Sequence, residues 1–398
     1  MIPIRDAAAR EYAAIAHELN DIETQGLLRR PETIEGPIGP RVRINGKEVL
    51  LLCTNDYLGL ANHPAVKQAA REALERDGAG AGASRLVSGT LSIHKELERA
   101  LANLKKTESA LVFGSGYLAN IGAVSTLCGP GDTIYSDRLN HASIIDACRL
   151  SRARIRIFPH RDTGQLRKTL KKSRAAGRKM IVTDGVFSMD GDIAPLPELA
   201  DLADEFGTLL MVDDAHATGV LGKDWSGTSA YFSLNGVDVQ MGTLSKALGS
   251  YGAFIAGPNQ LIELLINRAR SFIYTTALPP ASAAAALAAL KILKDEPDFP
   301  RRLWQNADTL KTGLRASGFS VGSSETFIIP LIVGDARTCV AMATALLKEG
   351  VFAQAIRPPS VPEGSSRLRI VPSALHETAD MELAVQAFER AGKKCGII

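Results

Sequence analysis

Short apolar runs alternate with longer amphipathic segments along most of the chain. Apolar runs of about four to six residues predict buried strands, and the segments that follow them have the spacing of amphipathic helices. Repeated alternation of strand and helix is typical of a parallel sheet wrapped by helices. We therefore predict five strands, at 110–113, 133–136, 154–158, 180–183 and 209–212. Each of the first four is followed by a predicted helix, at 117–128, 141–150, 164–176 and 196–206 in the same order.

The pattern changes toward both ends of the chain. Apolar positions at helical spacing from about 7 to 29 predict an N-terminal helical arm, which a Pro/Gly-rich link follows. Two further strands are predicted at 237–242 and 253–256, and an Ala-rich stretch from about 280 to 294 has high helix propensity. Beyond it the pattern predicts a smaller domain. Its predicted helices are at 300–316, 336–349 and 377–391, and its predicted strands are at 327–333, 352–356 and 367–371.

These elements predict an α/β protein in three parts. We expect an arm with short strands over 1–54, a large domain over 55–290, and a small α+β domain over 291–398. A length of 398 residues is enough for two or three such units, each with its own core.

Composition and charge exclude several classes of partner. The chain has 46 Lys and Arg against 43 Asp and Glu, and no block of like charge indicates a nucleic-acid partner. It has no apolar run of about 18 residues, so we expect no membrane span. Its five cysteines are scattered without a C-x-x-C pair, which predicts neither disulfides nor a metal site and favours the cytoplasm.

A glycine-containing turn at 114–119 follows a predicted strand and opens a helix. Its letters, Gly-Ser-Gly-Tyr-Leu-Ala, are compatible with a dinucleotide fingerprint, so a nicotinamide-dependent dehydrogenase is one alternative. A helix N-terminus offers free N–H donors to any phosphate, however. The turn therefore predicts that Ser115, Gly116 and Tyr117 hold a phosphate group.

Polar residues follow three further strands, at the edge where open parallel sheets place ligands. Lys246 stands between small and apolar neighbours, with Thr243 and Ser245 beside it. A lone lysine after a strand is usually solvated, but burial lowers the pKa of an amine toward the neutral form that Schiff-base chemistry needs. Asp213 and His216 follow another strand. The alternative interpretation is that they are ordinary turn residues.

Together these residues supply what one cofactor requires. Pyridoxal 5'-phosphate needs an amine for its aldehyde, a carboxylate for its ring nitrogen and a cradle for its phosphate. Lys246, Asp213 and the turn at Gly116 match that requirement, and His216 is placed to contact the ring hydroxyl. A non-catalytic ligand-binding protein on the same scaffold is a second alternative.

Six segments in this order resemble the α-oxoamine synthases, pyridoxal-phosphate enzymes that condense an amino acid with an acyl thioester. They are TNDYLGL at 54–60, SRLVSGT at 84–90 with His94, NHAS at 140–143, GVFSMDGD at 185–192, VDDAH at 212–216 and TLSK at 243–246. The resemblance implies an aspartate-aminotransferase-like fold (fold type I) with a mostly parallel seven-stranded sheet. It also implies a homodimer with active sites at the subunit interface.

The resemblance also implies roles for individual residues. Lys246 is expected to bind the cofactor aldehyde and to act as general base, His141 to stack on the ring, and Asp213 to pair with the ring nitrogen. Arg369 is expected to bind the amino-acid carboxylate, because a guanidinium binds a carboxylate through two hydrogen bonds. Other expected cofactor contacts are Ser188, His216, Thr243, Ser245, Thr275 and Thr276, the last two reaching the partner's phosphate site, and other expected substrate contacts are Arg29, Asn55, Arg357 and Ser360.

Within the family, two segments bear on the substrates. FIYTTALPP at 272–280 and AIRPPSVP at 355–362 look like members that condense L-alanine with a pimeloyl thioester to form 8-amino-7-oxononanoate in biotin biosynthesis. AVQAFER at 384–390 is also similar to members that join glycine to acetyl-CoA, which is the alternative substrate pair. Whether the acyl carrier is coenzyme A or a carrier protein stays open.

Overall fold

The computed structural model describes residues 6–173 and 176–398. Its helices are α1 (Asp6–Thr24), α2 (Pro64–Asp77), α3 (Ser92–Lys105), α4 (Gly116–Leu127), α5 (Ala142–Ser151), α6 (Thr163–Lys171), α7 (Leu196–Phe206), α8 (Thr228–Tyr231), α9 (Asn259–Arg268), α10 (Arg270–Ile273), α11 (Pro280–Asp295), α12 (Phe299–Ala316), α13 (Ala336–Lys348) and α14 (Thr378–Lys394). Its strands are β1 (Ile34–Glu35), β2 (Arg41–Ile44), β3 (Lys47–Leu51), β4 (Ser109–Phe113), β5 (Thr133–Asp137), β6 (Arg154–Phe158), β7 (Lys179–Asp184), β8 (Leu209–Asp213), β9 (Val239–Thr243), β10 (Ala253–Gly257), β11 (Ile329–Gly334), β12 (Val351–Phe352), β13 (Gln354–Ile356) and β14 (Ser366–Ile370).

The largest sheet in the described part of the chain has seven strands in the order β4-β10-β9-β8-β7-β5-β6. Its strands from β9 to β6 pair in parallel, whereas β10 is antiparallel to both of its neighbours. The prediction of a mostly parallel seven-stranded sheet is therefore confirmed. Strands β5, β9 and β10 are buried along their whole length, as expected for strands with helices on both faces of the sheet.

Helices cover both faces of this sheet. Along β8, Met211 packs into a core with α4 and α5, while Leu210 and Val212 pack into a separate core with α6 and α7. Successive side chains of a strand point to opposite faces, so the two cores lie on opposite sides of the sheet. The carboxyl ends of β5, β7, β8 and β9 consequently meet at one edge, between the two layers of helices.

Two smaller sheets lie outside the large one, and the first of them pairs the N-terminal strands with β12. The first has the order β1-β2-β3-β12, and the second has the order β11-β14-β13. The strand predicted at 352–356 is thus wrong as a single element, because β12 pairs with β3 and β13 pairs with β14. The chain passes from one sheet to the other at Ala353.

Other boundaries differ less from the predicted ones. The helix predicted at 164–176 ends at Lys171, and its predicted residues 174–175 lie outside the described residues. So do residues 1–5 of the predicted arm. Position 290 lies inside α11, and the division into three domains stays a prediction. Across the described ranges, no helix has the length and apolar character that crossing a membrane requires.

Candidate active site

Lys246 follows β9 and lies against His216, which follows β8. The amine nitrogen Nζ is 2.7 Å from Nε2 of the imidazole. Burial, helped by the positive charge of Arg369, outweighs the opposing carboxylates of Asp213 and Asp184 and lowers the pKa of Lys246 to about 8. With this pKa, roughly a fifth of the amine is neutral near pH 7.4.

His216 is buried and contacts a second polar side chain through its other nitrogen. Its Nδ1 is 2.5 Å from the hydroxyl oxygen of Tyr57. Burial, together with the positive charges of Lys246 and Arg369, holds the pKa of His216 well below its ordinary value. The imidazole is therefore neutral and has one donor and one acceptor nitrogen.

Asp213 ends β8 and has both carboxylate oxygens hydrogen-bonded. Oδ1 accepts from the backbone N–H of Ala215 at 2.9 Å, and Oδ2 accepts from the side-chain amide of Asn120 at 2.7 Å. These bonds fix the direction of the carboxylate, which is buried. A negative charge held in this way is suited to pair with a cationic ring nitrogen.

His141 precedes α5, and its ring is exposed at the same edge of the sheet. Its Nδ1 is 2.7 Å from the Ser143 hydroxyl, and its backbone N–H donates to Asp184 at 2.6 Å. Burial and the neighbouring Asp213 raise the pKa of Asp184 well above its usual range. His141 is thus fixed at both its backbone and its ring, which suits a residue that stacks on a planar group.

The turn before α4 has the geometry of a phosphate site. Ser115 caps the helix, and its hydroxyl accepts from the N–H of Leu118 at 3.2 Å. Gly116 opens the helix, where a Cβ would stand 2.8 Å from Cε of Met241. The first N–H groups of a helix have no partner within it, so those of Gly116 and Tyr117 point outward. The Tyr117 hydroxyl itself donates to Asp146 at 2.8 Å.

Two hydroxyl groups lie beside Lys246. The Thr243 and Ser245 oxygens are 2.7 Å apart, and the Thr243 hydroxyl donates to the carbonyl of Gly252 at 3.0 Å. Thr243 is buried and Ser245 is exposed. Because Thr243 donates its proton to the carbonyl of Gly252, Ser245 is the donor and Thr243 the acceptor in the hydrogen bond between the two hydroxyls.

Arg369, on β14, has its guanidinium held by three different segments. Nε donates to the carbonyl of Ser188 at 2.6 Å, Nη1 to Oδ1 of Asn55 at 3.2 Å and Nη2 to the Tyr57 hydroxyl at 3.3 Å. Because Tyr57 also contacts His216, Arg369 and Lys246 belong to one connected group. Ser188 contributes its carbonyl to that group.

The remaining predicted residues lie in two other groups. Arg29 donates to the carbonyl of Pro358 at 3.0 Å, and Arg357 donates to the carbonyls of Gly26 and Leu28. Ser360 follows in the same loop, where its backbone N–H donates to the carbonyl of Arg357. This arginine group joins the end of α1 to the loop before β14.

The other group lies beside α10, where Thr276 pairs with Ser84 and Thr275 precedes it. Among the residues that the structure describes, no hydrogen bond or ion pair connects Thr275, Thr276 or the arginine group directly to Lys246.

Sequence reasoning missed four members of the site: Tyr57, Asn120, Ser143 and Asp184. Tyr57 stands in the TNDYLGL segment, but nothing in that segment shows what its hydroxyl contacts. Asn120 is easier to recognise as a site residue than Tyr57, because it is a fully buried amide in the apolar helix α4. Buried amides require partners, so such a residue points to a polar group nearby.

The residues brought together fit the cofactor expected from the sequence. They supply an amine with a pKa of about 8, an oriented carboxylate and a helix N-terminus that offers free N–H groups. Across the described ranges, no group of His, Cys, Asp and Glu residues is arranged to bind a metal ion.

Comparison with known proteins gives a consistent result. The family model described as aminotransferase class I and II matches residues 47–388. A relative from Geobacter sulfurreducens named 8-amino-7-oxononanoate synthase is 53% identical over 389 residues, which cover 97% of this chain and 99% of the relative.

Solved structures agree with that match. Serine palmitoyltransferase from S. paucimobilis, solved with a bound pyridoxal phosphate and myriocin aldimine, superposes with a TM-score of 0.92 at 34% identity, covering 99% of this chain and 100% of that one. The 8-amino-7-oxononanoate synthase of Francisella tularensis superposes with a TM-score of 0.75 at 29% identity, covering 87% of this chain and 98% of that one.

Proposed function

We propose that this chain, which belongs to the class I and II aminotransferase family and within it to the α-oxoamine synthases, is a pyridoxal-phosphate-dependent acyltransferase of biotin biosynthesis. It condenses L-alanine with a pimeloyl thioester to give 8-amino-7-oxononanoate, carbon dioxide and the free thiol. The observation that carries the proposal is the contact of the Lys246 amine with His216 in a cluster that also holds Asp213.

The chemistry divides between the cofactor and the chain. When bound, pyridoxal phosphate supplies an electrophilic carbon for amines and a ring that withdraws electrons from the substrate's Cα. Lys246 takes the proton from Cα, and its pKa of about 8 lets it accept and return protons at neutral pH. Asp213 stabilises the positive charge on the ring nitrogen, which the electron-withdrawing step requires.

The chain orients the amino acid through Arg369. Its guanidinium is held by Asn55, Tyr57 and the carbonyl of Ser188, so it needs little rearrangement to bind a carboxylate. His141 covers one face of the ring, and the turn at Ser115, Gly116 and Tyr117 binds the phosphate. Thr243 and Ser245 lie beside Lys246 and complete the cofactor contacts.

The acyl substrate enters on the side of the arginine group in this proposal. Burial, together with the positive charge of the nearby Arg29, lowers the pKa of Arg357. An anionic group between them relieves that repulsion. The pimeloyl carboxylate or the carrier, whether coenzyme A or a carrier protein, supplies such an anion, and Ser360 lies at its edge.

Assembly and location are further parts of the proposal. Leu86, Val87 and Tyr274 are exposed apolar residues close to the Ser84–Thr276 pair, as expected for a surface that a second copy covers. Thr275 and Thr276 then reach the partner's phosphate site. All five cysteines are free, which suits the cytoplasm. Light scattering of the purified protein tests the dimer, and a monomer with full activity contradicts it.

The reaction is tested with purified protein, pyridoxal phosphate, L-alanine and pimeloyl-CoA. Mass spectrometry is expected to detect 8-amino-7-oxononanoate, and Lys246→Ala is expected to abolish both the product and the visible absorption of the bound cofactor. A parallel assay with glycine and acetyl-CoA tests the alternative substrate pair. A larger kcat/KM for that pair overturns the substrate assignment, and a colourless protein that binds NADH overturns the cofactor.

A further inference from the structure

Tyr57 lies between the Arg369 guanidinium and the His216 imidazole, and the function proposed above gives its hydroxyl no role toward the reacting groups. It is completely buried, and its ring packs against Phe327 with the centroids 4.7 Å apart. Its carbonyl accepts the N–H of Ala374 at 2.8 Å. Packing and backbone contacts therefore fix the position of its hydroxyl.

The hydroxyl has one proton and two acceptors within reach. Asn55 Oδ1 is 3.2 Å away, and it already accepts a hydrogen bond from Arg369. His216 Nδ1 is 2.5 Å away and accepts nothing else. Arg369 Nη2, a donor only, points at the hydroxyl oxygen and polarises its O–H bond. The shorter distance favours His216 Nδ1 over Asn55 Oδ1 as the acceptor of the single Tyr57 proton.

A neutral imidazole that accepts at Nδ1 has its proton on Nε2. In this site Nε2 is the atom 2.7 Å from the Lys246 amine. An N–H at that position finds an acceptor only in a neutral amine, since an ammonium group has donors alone. We propose that Tyr57 is a positioning residue that fixes His216 in its Nε2–H tautomer, so that the imidazole presents a donor to the reacting group.

Other charged groups also act on the amine, and a test must separate them from Tyr57. Asp213 at the end of β8 and Asp184 at the end of β7 favour the ammonium form, whereas Arg369 on β14 opposes it. His141, before α5, is close enough to interact electrostatically with Lys246, because burial and the positive charge of Lys246 lower the pKa of His141. Replacing Tyr57 with phenylalanine keeps all of these charged groups and removes only the hydroxyl, and Arg369 retains its bonds to Ser188 and Asn55 while losing its bond to Tyr57.

The inference rests on the proposed function in that Lys246 is the reacting amine. Its test measures the amine itself rather than turnover, so a negative result leaves the proposed function standing. The full chain, freed of cofactor, is treated with an amine-selective reagent over a series of pH values. Mass spectrometry then gives the extent of labelling at Lys246.

In the unaltered chain the midpoint of labelling is expected near pH 8. In Tyr57→Phe we expect the midpoint to rise by about one pH unit, because the imidazole then turns its Nε2 acceptor toward the ammonium form. Tyr135→Phe is the matched control, since Tyr135 is also buried but its hydroxyl has no hydrogen-bond partner. Its midpoint is expected to match that of the unaltered chain.

Either of two results overturns the proposal: an unchanged midpoint in folded Tyr57→Phe, or an equal shift in Tyr135→Phe. If Tyr57→Phe fails to fold, the tautomer of His216 in the unaltered chain tests the proposal instead. Nitrogen-15 spectra of the unaltered chain with labelled histidine, at a pH about one unit above the midpoint, are expected to show His216 protonated on Nε2. Protonation on Nδ1 overturns the proposal without any variant.

Discussion

Asn120 donates a hydrogen bond of 2.7 Å from its side-chain amide to Oδ2 of Asp213. The same amide nitrogen lies 2.9 Å from the Ser143 hydroxyl, and that hydroxyl contacts His141 Nδ1 at 2.7 Å. One buried amide therefore links the residue proposed to pair with the ring nitrogen and the residue proposed to stack on the ring. Asn120 therefore positions both of the residues that are proposed to contact the cofactor ring.

Asn120→Ala is expected to weaken pyridoxal phosphate binding by about tenfold, because Asp213 loses a hydrogen bond to its charged carboxylate. Titration of the visible absorption with added cofactor measures the affinity. Asn267→Ala, which removes an exposed amide that bonds only to the carbonyl of Glu263, is the control and is expected to change nothing. Unaltered affinity in Asn120→Ala contradicts the positioning role.

Asp213→Asn is expected to lower kcat at least about a hundredfold while leaving the fold nearly intact, since the negative charge at the ring nitrogen is lost. An asparagine oxygen still accepts from Ala215 or from Asn120, so one of the two hydrogen bonds is retained. Steady-state kinetics and thermal melting separate the two effects. A normal rate with bound cofactor contradicts the proposed role of the carboxylate.

The adjacent carboxylate, Asp214, is expected to act on stability instead. It is fully buried and pairs with Lys105 at 2.8 Å. Lys105→Met leaves its charge uncompensated and is expected to cost about 3–5 kcal/mol of unfolding free energy in urea. Lys106→Met breaks the exposed pair with Asp224 and is expected to cost less than about 1 kcal/mol. Similar losses of unfolding free energy in the two variants contradict the stabilising role of the buried Lys105–Asp214 pair.

His160 predicts a pH dependence of stability. Burial lowers its pKa, but hydrogen bonds with Asp137 at 3.0 Å and Asp192 at 2.6 Å outweigh burial and raise the pKa to about 9. Because the pKa of His160 is higher in the folded chain than in the unfolded one, its charge stabilises the fold fully below the unfolded-state pKa of 6.5. This stabilisation is lost as the pH rises through the folded-state pKa of about 9. The contribution is at most about 3 kcal/mol.

Urea unfolding of the unaltered chain and of His160→Gln at about pH 6 and about pH 10 measures that contribution. The loss caused by His160→Gln is expected to be larger at the lower pH. His17→Gln, at an exposed side chain on α1, is the control and is expected to show no such difference. A loss that is equal at both pH values indicates that the charge on His160 does not stabilise the fold.

Much of the large sheet follows from the sequence because its signals are local. The segments that become β5, β7 and β8 each contain a short apolar run (IY, MIV and LLMV), and the turn before α4 has a capping serine followed by glycine. These patterns depend on neighbours within a few residues. The antiparallel direction of β10 does not follow from such patterns, because it depends on the path the chain takes before it returns to the sheet.

The sequence by itself determined the class of fold, the family and the residue types of the site, including Lys246, Asp213 and Arg369. Only the tertiary structure decided which side chains meet: Tyr57 with His216, Asn120 with Asp213, and Arg369 with Ser188. Partners in these pairs are 159, 93 and 181 residues apart along the chain. The physical reason is that periodicity and propensity act over a few residues, whereas these contacts depend on strand order and on the packing of distant segments.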